Sequence, residues 1–314
     1  MFLGEKNSGG YKMKNIKWLV LMALLFAFSC QKQEEKPSPL LLASIHPYEL
    51  ILKQLVGNEF EVKCIIPPGA SPHTWSPGPA DLKNFSSASM ILANGLGLET
   101  NLEKNFAERK DVYIEAATLL KDVIPLPEKE LPAEEAIPEP IEHQHQHAQN
   151  PHLWTSPSLM IRLIGFLEKE LSTRFPNSAF VFKRNAQQMQ KELENLTDKI
   201  KTERAQYISP AIITYHNAFH YFLQEFNIEE LGFVQESPGK EPTPKELALL
   251  GNIIKEHNVK AIFLEPQMDR KAGETLAQEF SLELLTLDPL GSDGKAQTIA
   301  QLIDNNWQKM KMGF

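Results

Sequence analysis

The stretch LLLASIHPYELILKQLVGNEFEVKCII, residues 40–66, decides the fold. Leu40 to Ile45 is a short, wholly apolar run of strand length. Pro47 to Val56 then changes to helical spacing, with proline at the first helical position, and Gly57-Asn58 breaks it. Phe60 to Ile66 resumes β-type residues. Strand, helix and strand within 27 residues make a βαβ unit, whose strands must lie parallel. The pattern continues outward. Ala80 to Ser87 predicts a short helix, Met90 to Ala93 a strand, Asn94-Gly95-Leu96-Gly97 a turn, Thr100 to Ala107 a helix and Val112 to Glu115 a strand. Further on, Ala211 to Tyr215, Glu230 to Gln235, Ala261 to Leu264 and Leu284 to Leu287 read as strands with helices between them. Two sets of alternating elements predict an α/β protein of two doubly wound lobes.

Between the sets lie two helical stretches. Ser158 to Phe175 is amphipathic and closed by Pro176. Asn177 is placed to cap a second helix running to Tyr207, about thirty residues and roughly 45 Å at 1.5 Å per residue, long enough to run the height of both lobes. The expected organisation is a signal peptide over 1–29, a tether over 30–39, an N-terminal lobe over 40–176, a linking helix over 177–207 and a C-terminal lobe over 208–314. Within the first lobe, 125–149 reads as a solvated loop. Pro125 to Glu142 holds five prolines and six glutamates, too few apolar groups to bury a core, and runs into the alternating tract His143, His145, His147.

The amino terminus carries its own signal. Lys12, Lys14 and Lys17 precede an apolar run from Trp18 to Phe28, too short for a bilayer span of about 20 residues, and Ala27-Ser29 lead into Cys30. This predicts cleavage before Cys30 and acylation of its thiol, which ties the chain to a membrane surface. Met13, followed directly by lysine, reads as the better start. The other cysteine, Cys64, is expected to be a buried core thiol. A formal charge of −8 without a basic stripe argues against nucleic acid as a partner.

In an open α/β sheet, ligands bind beyond the carboxyl ends of the strands. His73 follows the second strand through a Pro-rich loop, and His152 stands in a Pro-flanked turn before a helix. His216 ends one strand and Asp288 another. Three imidazoles and a carboxylate form a tetrahedral zinc set, and their origin in both lobes makes closure depend on the ion. Singly each has a plainer reading: a turn histidine that caps or packs, or an Asx turn at Asp288-Pro289. His220, four residues after His216, and His46, at the end of the first strand, are secondary candidates. His257 reads as an exposed helix end. The 143–147 tract is suited to transient metal holding.

These motifs resemble a known family. Pro68-Gly69-Ala70-Ser71-Pro72-His73-Thr74-Trp75-Ser76-Pro77-Gly78-Pro79-Ala80-Asp81-Leu82 is similar to the first metal-ligand loop of zinc/manganese ABC-transporter solute-binding proteins. Asn94 to Glu99, Asn150-Pro151-His152-Leu153-Trp154, Tyr215-His216-Asn217-Ala218-Phe219, the tract Glu236 to Thr243 and Leu287-Asp288-Pro289-Leu290-Gly291 look like further signatures in the expected order. The resemblance implies His73, His152 and His216 as imidazole ligands and Asp288 as the carboxylate. It also implies a stiff backbone helix at 177–207 with limited closure. Histidine at 216, where manganese-type relatives typically have glutamate, favours Zn2+, with Mn2+ or iron as alternative cargo. The expected partners are an ABC permease and its ATPase, the divalent ion, and a membrane through the lipid anchor. The expected working unit is an extracytoplasmic monomer without catalytic activity. Two rival readings are a zinc hydrolase using Glu236 or Glu265 as base, and a surface adhesin.

Overall fold

The computed structural model describes Met1, Gly4 and residues 38–122, 150–235 and 239–314. The expectations for Cys30, the signal segment, most of the tether, His143, His145, His147 and Glu236 lie outside these residues. Four parallel strands form the first sheet: β1 (Leu40–Ala43), β2 (Glu61–Cys64), β3 (Ala88–Ala93) and β4 (Tyr113–Glu115), in the order β2-β1-β3-β4. The second sheet repeats this plan with β5 (Ala211–Thr214), β6 (Glu229–Phe233), β7 (Ala261–Leu264) and β8 (Glu283–Thr286), in the order β6-β5-β7-β8. The central strands β1 and β7 are buried throughout, which is why they read as continuous apolar runs; the edge strand β2 alternates.

Helices α1 (His46–Val56), α2 (Pro79–Ser87), α3 (Glu103–Glu108) and α4 (Ala116–Leu120) flank the first sheet. Helix α5 (Pro157–Arg174) begins at Ser156, whose Oγ accepts from Leu159 N at 3.2 Å. The long helix α6 spans Ala179–Arg204; 26 residues at 1.5 Å give about 39 Å. Pro176–Ser178 forms a separate 3-10 turn ahead of it, so Ser178 rather than Asn177 stands at the helix start, and it caps with no side-chain bond. In the second lobe follow α7 (His220–Glu225), α8 (Pro244–Glu256), α9 (Lys271–Phe280) and α10 (Ile299–Met310). Helix α8 opens with a reciprocal capping box between Thr243 and Glu246.

Helix α6 packs against α1 of one lobe and α10 of the other. Asn185 Nδ2 donates to Leu55 O at 3.0 Å on the first side. Lys199 Nζ to Asp304 (2.8 Å) and Trp307 Nε1 to Glu203 (2.8 Å) join the second. One continuous apolar core runs from Leu41 and Ile51 through Phe182 and Leu193 to Phe222, Phe263 and Trp307, and a second, smaller core covers the far face of the second sheet. A close-packed core shared by both lobes resists bending, because hinge opening must separate apolar surface. Cys64 differs from its expected burial. At the end of edge strand β2 it is half-buried, and its thiol donates to Ile66 O at 3.0 Å. Among the described residues, no helix is long and apolar enough to cross a membrane.

Candidate metal centre

Both sheets present their strand ends to one cleft. The β2–α2 loop, folded by turns in which Ala70 N donates to Pro67 O (3.1 Å) and Trp75 N to Ser71 O (3.0 Å), brings His73 into it. His216 lies two residues beyond β5. Glu265 directly follows β7, and the β5–β7 register pairs Thr214 with Phe263. Continued by two residues, that register sets His216 beside Glu265. Glu265 Oε1 accepts from His216 Nδ1 at 2.5 Å and from its backbone N at 3.3 Å.

His152 reaches the cleft from the segment ahead of α5, which is tied to both lobes. Asn94 Nδ2 donates to Pro151 O (2.7 Å) on one side. On the other, Asn150 Nδ2 donates to Asn217 O (2.7 Å), Tyr221 Oη to Asn150 O (2.7 Å), and Trp154 Nε1 to Pro289 O (2.8 Å). Glu225 at the end of α7 accepts from the hydroxyls of Ser156 and Ser158, both at 2.5 Å. Asn150 Oδ1 then accepts from His152 N (2.9 Å) and Nδ1 (2.8 Å).

These partners set the tautomers. With Nδ1 of His152 and His216 turned to oxygen, Nε2 is the atom each neutral ring offers to an ion. Nε2 of His216 stands 3.1 Å from Nε2 of His152, which stands 3.4 Å from Nε2 of His73. Two Zn–N bonds of 2.0–2.1 Å at the tetrahedral angle place their nitrogens about 3.3 Å apart. Both of these contacts are close to that spacing, and between neutral rings a cation there takes up lone pairs that would otherwise repel. Burial, and next the neighbouring His216, hold the His73 ring down to about 4. Burial, with His216, His73 and His220 around it, keeps His152 well below the usual imidazole range. Both rings are therefore neutral, ligating bases near pH 7.

The structure brings His73, His152 and His216 together, with one donor atom from each within 4.8 Å of the others. Among the described residues, Asp288 does not join this group. Its Oδ1 accepts from Leu290 N (3.1 Å), Gly291 N (3.0 Å) and Gln267 Nε2 (3.0 Å), and its Oδ2 from Ser292 N (2.6 Å). The Asx turn at Asp288-Pro289 is thus the arrangement present, and it shapes the loop over the cleft. His46 pairs with Glu49 at 2.7 Å, His220 opens α7, and exposed His257 follows α8; none belongs to the three-ring group.

A cavity of about 20 Å3 borders the rings, walled by Pro72, Trp154, Met268, Pro289 and Leu290, with Glu265 and Gln267 among its lining. Sequence reasoning missed Asn150 as the support of His152 and Glu265 as the support of His216. The strand-end rule that singled out His216 applies equally to Glu265, which ends the adjacent strand.

The chain is 30% identical over 267 residues to a protein of Thermotoga maritima described as metal-binding, covering 85% of this chain and 89% of that one. It is 28% identical over 252 residues to the high-affinity zinc uptake system protein ZnuA of Bacillus subtilis, covering 79% and 77%. A crystal structure of ZnuA superposes with a TM-score of 0.74 at 26% identity, over 88% of this chain and 99% of that one. The family model described as zinc-uptake complex component A, periplasmic, matches residues 41–313, and the chain belongs to that family.

Proposed function

We propose that this chain captures Zn2+ outside the cytoplasm on His73, His152 and His216 and hands it to an ABC permease driven by its ATPase. The observation that carries the reading is the convergence of three imidazole Nε2 atoms, neighbouring pairs standing 3.1 and 3.4 Å apart, close to the spacing around a tetrahedral zinc ion. Nitrogen-rich donors suit zinc over manganese, which prefers carboxylate and water oxygen. The shared core and the ties of the 150–158 segment to both lobes support a small movement on loading, with His73 on its own loop as the ligand freest to shift. Acylation of Cys30 would hold the carrier at the membrane surface, within reach of the permease.

Isothermal titration of the metal-free protein with zinc tests this. A single saturable site is expected, together with loss of at least a hundredfold in affinity when His73 and His216 are both changed to alanine. Binding that is absent, or indifferent to those two changes, refutes the assignment. Competition with manganese should favour zinc strongly, and parity would reassign the cargo.

A further inference from the structure

We propose that Gln267 governs the fourth position of the metal site, its Oε1 accepting a hydrogen bond from a water bound to the ion. This rests on the three-imidazole reading and replaces a protein carboxylate at that position with a neutral acceptor. Both oxygens of Asp288 and one of Glu265 are otherwise engaged. Asp288 Oδ1 already takes Leu290 N, Gly291 N, Gln267 Nε2 and Ser292 Oγ, and Oδ2 takes Ser292 N. Glu265 Oε1 takes both nitrogens offered by His216.

Gln267 lines the 20 Å3 cavity together with all three rings. That volume exceeds the roughly 10–15 Å3 needed for one water. One end of its amide is anchored. Nε2 donates to Asp288 Oδ1 at 3.0 Å and also to Ser292 Oγ. Turning the amide over would set its oxygen against the Asp288 carboxylate, so the orientation is determined by charge. The other end, Oε1, is buried and has no hydrogen-bond partner among the described residues. A buried acceptor without a donor is costly, and a metal-bound water, polarised by the ion, is a strong donor of the right size.

Three nitrogens and a water form an open metal site, in which the last ligand exchanges easily. Such a set lacks the inner-sphere carboxylate that manganese favours. Asp288 then acts one step removed, by aiming Gln267. A displaceable water also offers the receiving permease an entry point for its own ligand.

Cobalt(II) serves as the spectroscopic probe and zinc competition as the affinity measure, on the full chain. In the wild type, azide should bind saturably and shift the d–d bands of the four-coordinate cobalt protein by replacing the water. In Gln267→Leu and in the isosteric Gln267→Met, zinc affinity should fall about tenfold and the cobalt bands should change, with manganese affinity nearly unmoved. Affinity within about threefold of wild type with unchanged cobalt bands overturns the proposal, even where the apo protein melts lower, since that assigns Gln267 to loop structure alone. A wild-type cobalt protein indifferent to azide overturns it without any variant. A hundredfold loss in Asp288→Asn beside normal Gln267 variants returns the fourth position to Asp288. Failure of the wild type to bind zinc or cobalt at all sinks the three-imidazole site itself, a separate result.

Discussion

Glu265 is the residue whose replacement tests the site's construction most directly. It is 3% exposed, and one of its oxygens accepts both the backbone N and Nδ1 of His216. In Glu265→Gln the fold keeps a side chain of the same size but loses the charge. A hydrogen bond to a charged acceptor contributes about 1.5–3 kcal/mol against about 1 for a neutral one, so alignment of the His216 ring should weaken by about 1–2 kcal/mol. The imidazole also becomes a poorer base. Changes of this kind cost metal sites about 10–100-fold in affinity, in line with that figure. If the amide turns its NH2 towards Nδ1, the proton moves to Nε2 and the ring cannot ligate at all, which sets the upper end. The assay is zinc competition against a chromophoric chelator at pH 7.5, with circular dichroism of the apo protein to verify the fold. In a His216→Ala background the same change should alter affinity less than about threefold, because the carboxylate acts through that ring. A loss under threefold in the wild-type background, or an equal loss in both, would refute the reasoning.

Two further outcomes concern pH. His73 is held at about 4 in the folded chain, below its unfolded value of about 6.5. The unfolded chain therefore takes up the proton first, so apo stability is full above about pH 6.5 and declines as pH falls towards 4, by no more than about 3 kcal/mol. Urea melts at pH 7.5 and 5 should show the decline, and His73→Gln should shrink it; an identical slope in the variant contradicts the assignment. Glu230 runs the other way. Burial raises its carboxyl to about 7 despite the bond from Thr214 Oγ1 at 2.6 Å. Its charged form then burdens the folded state above pH 7 and not below about 4.5. Discounted for partial exposure, Glu230→Gln should stabilise by about 1–2 kcal/mol at pH 8, roughly 2–6 °C in Tm, and not at pH 4. An unchanged melting temperature at pH 8 counts against a raised carboxyl.

Much of this protein is legible in the chain because the signals are local. Leu40–Ala43 and Ala261–Leu264 are apolar runs bounded by turns, and both are buried central strands. His73, His152 and His216 stand at strand or turn ends, where an α/β sheet puts its ligands. Element boundaries drift by a residue or two, as at Asn177, because a helix start is settled by which backbone N–H finds a partner. The tertiary structure alone decided which atoms meet. The β5–β7 register, a pairing across 49 residues, sets Glu265 beside His216, while donors of its own loop occupy the Asp288 carboxylate. Residue type and spacing say which groups are able to bind an ion. Which acceptors remain free to do so depends on every donor the fold packs around them, and no local pattern encodes that competition.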